Sequence, residues 1–322
     1  MFKILLIPTT LLISMLSFAG QAQIKVIYGD DNREDVMNVI TPLYLKLSES
    51  TAAMISNYKI VELNSEEYSL ESDTLKDSGV CSHERFADQP VAANCSGFLV
   101  GPKLLVTAGH CVRSESSCKN SSWVFDYKVE FSSQSEVTVK KSSVYKCTKI
   151  ISQELNSDTE NDYAVIELDR EVTDKKPLKL RREGTPSKGD SLVVIGHPSG
   201  LPTKVTDKGT VRDVNSVFMV TNLDTYGGNS GSAVFNSKTG LVEGILVRGE
   251  QDYVWDSSMN CRVSNMIGVD AGRGEDVTLI STVLSFVPKV EEPKPKPELP
   301  IWWQQFLDWL ESRRNNQLAS SF

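Results

Sequence analysis

Between Cys95 and Val247 the chain is a run of short apolar segments, each closed by Gly, Pro or Asn, and this pattern limits the fold more than any other feature. Residues 96–100 and 103–107, separated by Gly101-Pro102, read as a hairpin. Residues 127–131 and 136–139 alternate as half-buried strands, and 163–168 is another. The second half repeats the pattern at 191–195, 209–214, 217–222, 232–235 and 241–247. Many short strands joined by tight turns make barrels or sandwiches, so the fold class is all-β. Upstream, Ser50-Thr51-Ala52-Ala53-Met54-Ile55 is expected to begin a short helix. The polar, acidic stretch 64–77 is expected to be a surface excursion or an activation segment.

Three short motifs carry the chemistry. Asp224-Thr225-Tyr226-Gly227-Gly228-Asn229-Ser230-Gly231-Ser232 places a serine among glycines. A serine hydroxyl is a poor nucleophile at neutral pH and needs a base within hydrogen-bond reach, plus backbone N–H donors aimed at the oxyanion it creates. Glycines allow the tight turn that points such N–H groups outward. The base and its orienting acid must come from elsewhere. Thr107-Ala108-Gly109-His110-Cys111 offers His110, and Asn161-Asp162-Tyr163-Ala164-Val165-Ile166 offers Asp162 at the entrance of a strand. A buried, fixed carboxylate at that point would hold the imidazole tautomer. The order His, Asp, Ser differs from the Ser, Asp, His order of the G-x-S-x-G hydrolases, and Ser232 stands where that elbow needs its second glycine. His83 lies in a polar loop, and His197 ends a strand at a turn and is read as structural.

In these three segments the chain resembles the trypsin-like serine endopeptidases, and within them the bacterial branch that includes the glutamyl endopeptidases. The likeness covers roughly residues 80–250, and more loosely Val26 to Met37. It implies two antiparallel, chymotrypsin-like β-barrels with the active site between them. It also implies His110 as general base and then acid, Asp162 as its orienting group and Ser230 as the acyl-forming nucleophile. The backbone N–H groups of Gly228 and Ser230 would form the oxyanion hole. The family also places a disulfide at Cys95–Cys111, and an acid at the base of the primary pocket in the position of Asp224. An ionised Asp224 would select Arg or Lys before the scissile bond; the competing reading pairs it with Arg212 or Arg248. Two residues depart from the family's better-known members. Asn229 stands where digestive enzymes carry the aspartate that binds a new N-terminal ammonium, which argues against that activation switch. Leu246 stands where glutamyl endopeptidases carry a pocket histidine, which argues against a glutamyl preference.

Composition sets the outer bounds. A net charge of −8 argues against nucleic acid as the main partner, since phosphate binding needs a basic surface. Residues 1–22 read as a signal peptide, with Lys3 ahead of an apolar stretch and Gly20-Gln21-Ala22 at the cleavage site, so the expected location is secreted or periplasmic. Lys25 competes with the signal cleavage site as the last processing point. Export makes the six cysteines disulfide partners. The pairing of Cys81, Cys118, Cys147 and Cys261 stays open, and without a C-x-x-C spacing no zinc site is supported. Residues 23–80 lead into a protease domain at 81–287. Residues 288–300 hold five of the 13 prolines as a semi-rigid linker, and 301–322 form an amphipathic C-terminal helix. That helix, through residues 301–314, is expected to contact a membrane surface or a partner.

The expected activity is hydrolysis of protein or peptide substrates with no metal or organic cofactor. The alternatives are a protease of narrow or self-processing specificity, and a non-catalytic binding or adhesion protein on the same scaffold.

Overall fold

The computed structural model describes residues 27–289 and 301–319. They divide into two units, with the break between Val287 and Pro288. The signal peptide, Lys25 and most of the proline-rich linker lie outside the described residues.

Twelve strands of the first unit build two barrels. The first uses β1 (Thr51–Ser56), β2 (Ala93–Leu99), β3 (Leu104–Thr107), β4 (Ser121–Phe125), β5 (Val144–Leu155) and β6 (Asp162–Leu168). The second uses β7 (Ser191–Gly196), β8 (Lys204–Val214), β9 (Phe218–Thr221), β10 (Ala233–Asn236), β11 (Val242–Arg248) and β12 (Glu275–Leu279). Around the first barrel the order is β1-β2-β3-β6-β5-β4, with β4 closing on β1. Around the second it is β7-β8-β9-β12-β11-β10, with β10 closing on β7. The two orders are the same, and every pairing is antiparallel. Closure leaves neither barrel an open sheet edge, which is how an all-β body avoids pairing with its neighbours.

The strand pattern fails in two places. Residues 50–55 are not helical: Thr51–Ser56 is β1, buried along nearly its whole length, and the helix lies earlier at Pro42–Ser48. A short run with four consecutive apolar residues, Ala52 to Ile55, has no period of its own, and the two flanking strands of the barrel decided its state. Residues 127–131 alternate but pair with nothing, because the strand is Ser121–Phe125. Tyr127 is fully buried all the same, its hydroxyl donating to the carbonyl of Pro90 at 2.8 Å and accepting from the Ala92 N–H at 3.2 Å. Burial alternates from Tyr127 to Glu130 without a ladder and breaks at Phe131, which is exposed.

The 64–77 excursion is folded. Glu67–Leu70 pairs with Ile60–Glu62 and with Val137–Lys140 in a small sheet. The disulfides are Cys81–Cys261, Cys95–Cys111 and Cys118–Cys147. Disulfides of this kind belong to an oxidising compartment. No helix among the described residues is long and apolar enough to cross a membrane.

The second unit is described only as the helix Ile301–Ala319. At about 100° per residue, Trp302, Trp303, Phe306, Leu307, Trp309 and Leu310 fall on one side of it. Their rings form a chain from Trp302 through Trp303 and Phe306 to Trp309. The guanidinium of Arg313 lies over the Trp309 ring at 4.6 Å. The apolar side is thus confined to the first half of the helix and ends under a cation, so the helix is amphipathic over a shorter length than the sequence implied.

Candidate active site

β3 and β6 are neighbours in the first barrel, with Thr107 opposite Ala164. The turn after β3 carries His110, and β6 opens with Asp162, so one antiparallel pairing brings the two together. The His110 N–H donates to Asp162 Oδ1 at 3.0 Å, and His110 Nδ1 lies 2.8 Å from Asp162 Oδ2. Two bonds to one carboxylate fix both the backbone and the ring. Asp162 is 1% exposed, and its own carbonyl accepts from the Thr278 hydroxyl of β12 at 3.2 Å. The first barrel thus supplies the ring and its acid, and the second barrel clamps the acid from behind.

Ser230 sits in the loop between β9 and β10. Two of the loop's N–H groups are used within it, Asn229 donating to Tyr226 O at 2.9 Å and Ser232 to Asn229 O at 2.8 Å, and Gly231 donates to Leu246 O of β11 at 2.7 Å. The N–H groups of Gly228 and Ser230 have no acceptor among the described residues. Gly228 has φ of 94°, and a side chain there would meet the His197 carbonyl at 2.5 Å, so the turn needs glycine. Gly231 has φ of 88°, and an added Cβ would stand 2.1 Å from the Ser96 carbonyl. The loop is pressed against β2, where the Ser96 N–H donates to Ser230 O and its hydroxyl to Gly228 O, both at 2.8 Å. Cys95 and Cys111 flank this contact and are joined to each other. His110 lies close to both sulfurs, but the disulfide consumes the thiolates that a metal would need.

His110, Asp162 and Ser230 line one cleft of about 590 Å³ together with Leu155, Val247, Arg248, Gly249, Glu250 and Arg273. A smaller pocket beside Ser230 is lined by Thr225–Gly227, by Leu246–Gly249 and by two carboxylates, Asp252 and Glu275.

Asp224 is not in that pocket, which corrects its expected place there. It is 2% exposed and turns to the N-terminal segment, accepting the N–H of Tyr28 at 2.7 Å and of Asn32 at 3.0 Å. Burial pushes its carboxyl up to about 6 against the pull of those two bonds. Neither Arg212 nor Arg248 is its partner: Arg212 donates to loop carbonyls including that of Ala271, and Arg248 Nε to Asp276 at 3.2 Å. Two carboxylates do reach the pocket: Asp252, and Glu275, the first residue of β12, which accepts from the Thr225 hydroxyl at 2.5 Å. Sequence reading missed it because β12 itself was not recognised. The buried Glu-Asp-Val-Thr-Leu run lies behind a loop and carries two charges, so it does not look like a core strand.

His197 is structural in the sense expected. It is fully buried and stacks on Tyr127, its N–H donates to the Ser96 hydroxyl at 3.0 Å, and Nδ1 faces Leu201 O at 3.1 Å. Burial lowers its pKa to about 3, which keeps it neutral.

Residues 95–245 match the model of the trypsin-like peptidase domain family. Among solved structures, the chain is similar to a Glu endopeptidase in complex with MPD, with 16% identity, TM-score 0.45, and 80% of this chain and 96% of that one covered. It is also similar to the active form of the Rv3671c protease from M. tuberculosis, with 14% identity, TM-score 0.45, and coverage of 87% and 95%. The class defined by the paired barrels and the matched domain is the chymotrypsin-fold serine peptidase. The protein carries a trypsin-like peptidase domain, and its activity is that of a serine-type endopeptidase acting on protein or peptide substrates.

Proposed function

We propose that the cleft is the catalytic centre and that the protein works as a secreted or periplasmic endopeptidase through a His110, Asp162, Ser230 triad. The supporting observation is the doubly bonded His110–Asp162 pair sharing one cleft with Ser230. In this reading Ser230 Oγ attacks the scissile carbonyl while His110 Nε2 takes its proton. The Nδ1–H remains donated to Asp162, which stabilises the imidazolium. The carbonyl oxygen, now an oxyanion, receives the two spare N–H groups of Gly228 and Ser230. His110 then protonates the leaving amine, and water enters by the reverse route to release the acyl group. A fluorophosphonate probe tests this directly: it should label Ser230 in the parent and leave Ser230→Ala and His110→Ala unlabelled. Labelling of the parent at another serine would refute the assignment. The chemistry so described draws on no metal or organic cofactor.

The proposed preference is for Arg or Lys before the scissile bond, with Glu275 supplying the charge in place of Asp224. Two carboxylates, Asp252 and Glu275, line the pocket against one guanidinium, Arg248, which is already paired with Asp276, so the balance favours a basic side chain over an acidic one. A second reading comes from size. The pocket is about 30 Å³, room for one or two waters, so Glu275 as it stands would admit only small side chains. A peptide-library profile separates the two. Basic residues lost on Glu275→Gln but kept on Asp224→Asn support the first; small residues in the parent, with larger ones admitted on Glu275→Ala, support the second.

Residues 301–314 are proposed as an anchoring segment beyond the linker, held at a membrane interface by the tryptophan side of the helix.

A further inference from the structure

The excursion between Leu70 and Ala92 has no part in the triad, yet it is tightly built. Leu75 N–H donates to Gln89 O at 2.9 Å, Lys76 to Ala87 O at 2.9 Å and Val91 to Asp73 O at 3.0 Å, so the segment folds back on itself. Leu75 and Val80 are buried against Leu201 at the end of the β7–β8 connection. A second element meets it there, the hairpin Tyr253–Asp256 and Cys261–Ser264. The two are joined by the Cys81–Cys261 disulfide, which spans 180 residues of sequence, and by backbone bonds from Cys81 to Arg262 O and from Arg262 to Gly79 O.

Together they wall a groove of about 320 Å³ whose remaining lining is Val91, Ala93 and Asn94 at the start of β2, Ser199-Gly200, and Gly227-Gly228 in the loop ahead of Ser230. The wall is fastened to that loop. Asp252 accepts the Gly227 N–H at 2.9 Å, Ser199 N–H donates to Gly227 O at 2.5 Å, and the Ser199 and Tyr253 hydroxyls are 2.8 Å apart. The groove is also continuous with the catalytic cleft. Gly227 and Asp252 line both the groove and the small pocket, while Ser230 and the Val247–Gly249 stretch line both the pocket and the cleft.

We propose that this groove binds the part of the substrate on the leaving-group side of the scissile bond, and that it takes an apolar side chain. The claim rests on the catalytic reading above. A peptide held with its carbonyl oxygen at the Gly228 and Ser230 N–H groups must leave in two directions. One runs along Val247–Glu250 past His110. The other runs over Gly227-Gly228 into the groove. Its floor of Leu75, Val80, Val91 and Ala93 offers apolar contact, and the guanidinium of Arg262 is held at one side by the Ser78 carbonyl and over the Tyr253 ring. A folded, disulfide-joined wall costs no ordering on binding, which favours its use as a preformed subsite. The enzyme therefore reads sequence on both sides of the bond it cuts.

The test uses two peptides that share the acyl half cleaved fastest by the parent enzyme. One ends at the scissile bond in an anilide; the other continues for three residues with Leu or Val among them. The extended peptide should be cleaved with kcat/KM at least about tenfold higher than an otherwise identical peptide carrying Gly at those positions, the scale of one apolar contact. Ser78→Trp, placed on the exposed rim, should fill the groove and remove that gain, leaving anilide turnover and fluorophosphonate labelling at parental rates. Asn94→Trp, on the opposite rim, should do the same. Loss of labelling in the parent itself would sink the catalytic reading. Normal labelling with no gain from the apolar extension, or a gain from extending the amino side that Ser78→Trp abolishes, would overturn the groove assignment alone.

Discussion

Two of the three disulfides, Cys95–Cys111 and Cys118–Cys147, belong to the first barrel, whereas the strands of the second barrel carry none. The buried charges are distributed the other way. Along the described strands of the first barrel Asp162 is the one buried charged residue. The second barrel buries Lys204, Glu243, Glu275 and Asp276 in its strands, and its β8 is extended by an N-terminal strand, Arg33–Asp35, that brings two more. Lys204 Nζ sits 2.7 Å from Asp35 and donates to Gln89 at 2.7 Å; Glu243 pairs with Arg181; Asp276 pairs with Arg248 and Arg273. One strand order is thus held in two ways, covalently on the side that carries His110 and by ion pairs with buried members on the side that carries Ser230. In the first barrel a buried charge stands out because it is solitary. In the second, Glu275, which lines the small pocket beside Ser230, is one buried charge among several.

The largest effect should fall on both barrels alike. Ser230→Ala from the second and His110→Ala from the first should each lower turnover by about 10⁶, and the double variant should be no worse than either, because the members act as a unit. Asp162→Asn should cost about 10⁴ by allowing the wrong tautomer. Equal folding of all variants, read from their far-ultraviolet spectra, keeps the comparison clean. Additive losses would mean that the two barrels do not contribute to one site.

Stability should separate the barrels. Asp35→Asn strands the Lys204 ammonium without its ion partner in the second barrel, at a cost of about 3–5 kcal/mol. Adding Lys204→Met should recover most of that loss, since an apolar pair has no charge to desolvate. Removing Cys118–Cys147 as a double alanine variant should cost somewhat less, about 3 kcal/mol, by freeing a loop of the unfolded chain. Denaturation midpoints of the three variants rank the effects, and a reductant should destabilise the parent while leaving the cysteine-free variant of this pair less affected. A smaller, pH-dependent difference arises from Lys204. Burial lowers its pKa to about 8, below the value near 10.4 of an unfolded lysine. Between these values the unfolded chain binds the proton and the native protein does not, so this group's contribution rises as pH increases from about 8 to about 10. The parent should therefore gain stability over Lys204→Met across that window. A constant difference would mean that Lys204 keeps its proton in the folded state.

Legibility followed the range of the interactions rather than the barrel. His110, Asp162 and Ser230 could be picked out because each stands beside a strand in a short local pattern. One antiparallel pairing brings His110 to Asp162, and one loop pressed on β2 sets Ser230 on the same cleft. Asp224 was misplaced because its fate depends on Tyr28 and Asn32, nearly 200 residues away, whose N–H groups capture the carboxylate. β1 was read as a helix because Thr-Ala-Ala-Met-Ile-Ser has no alternation to reveal a strand buried on both faces. The Cys81–Cys261 link was equally invisible, since it depends on how the excursion and the late hairpin fold onto each other.

The smallest expected effect on catalysis concerns the second unit, and it sharpens the contrast between the barrels and the C-terminal helix. The barrel body ends in a secure contact: Phe286 stacks with Tyr163, and Val287 is buried with its carbonyl accepting from Arg182 at 2.9 Å. Truncation from Pro288 onward leaves those contacts in place. Peptide turnover and the denaturation midpoint should therefore stay at parental values. The helix has a different character. Trp302 is 65% exposed and Trp309 48%, a concentration of aromatic surface that costs free energy in water and gains it at a lipid headgroup boundary. Arg313, stacked over Trp309, places a cation at the edge of that surface, where anionic headgroups would meet it. The full chain should sediment with vesicles containing phosphatidylglycerol and bind less to neutral phosphatidylcholine vesicles, and the truncated chain should bind neither. Trp302→Ala with Trp309→Ala should weaken binding to both lipids, whereas Arg313→Ala should weaken only the anionic case. If truncation instead unfolds or inactivates the enzyme, the helix belongs to the catalytic body and the anchoring role fails; if the full chain binds no vesicle, the aromatic surface is no membrane anchor.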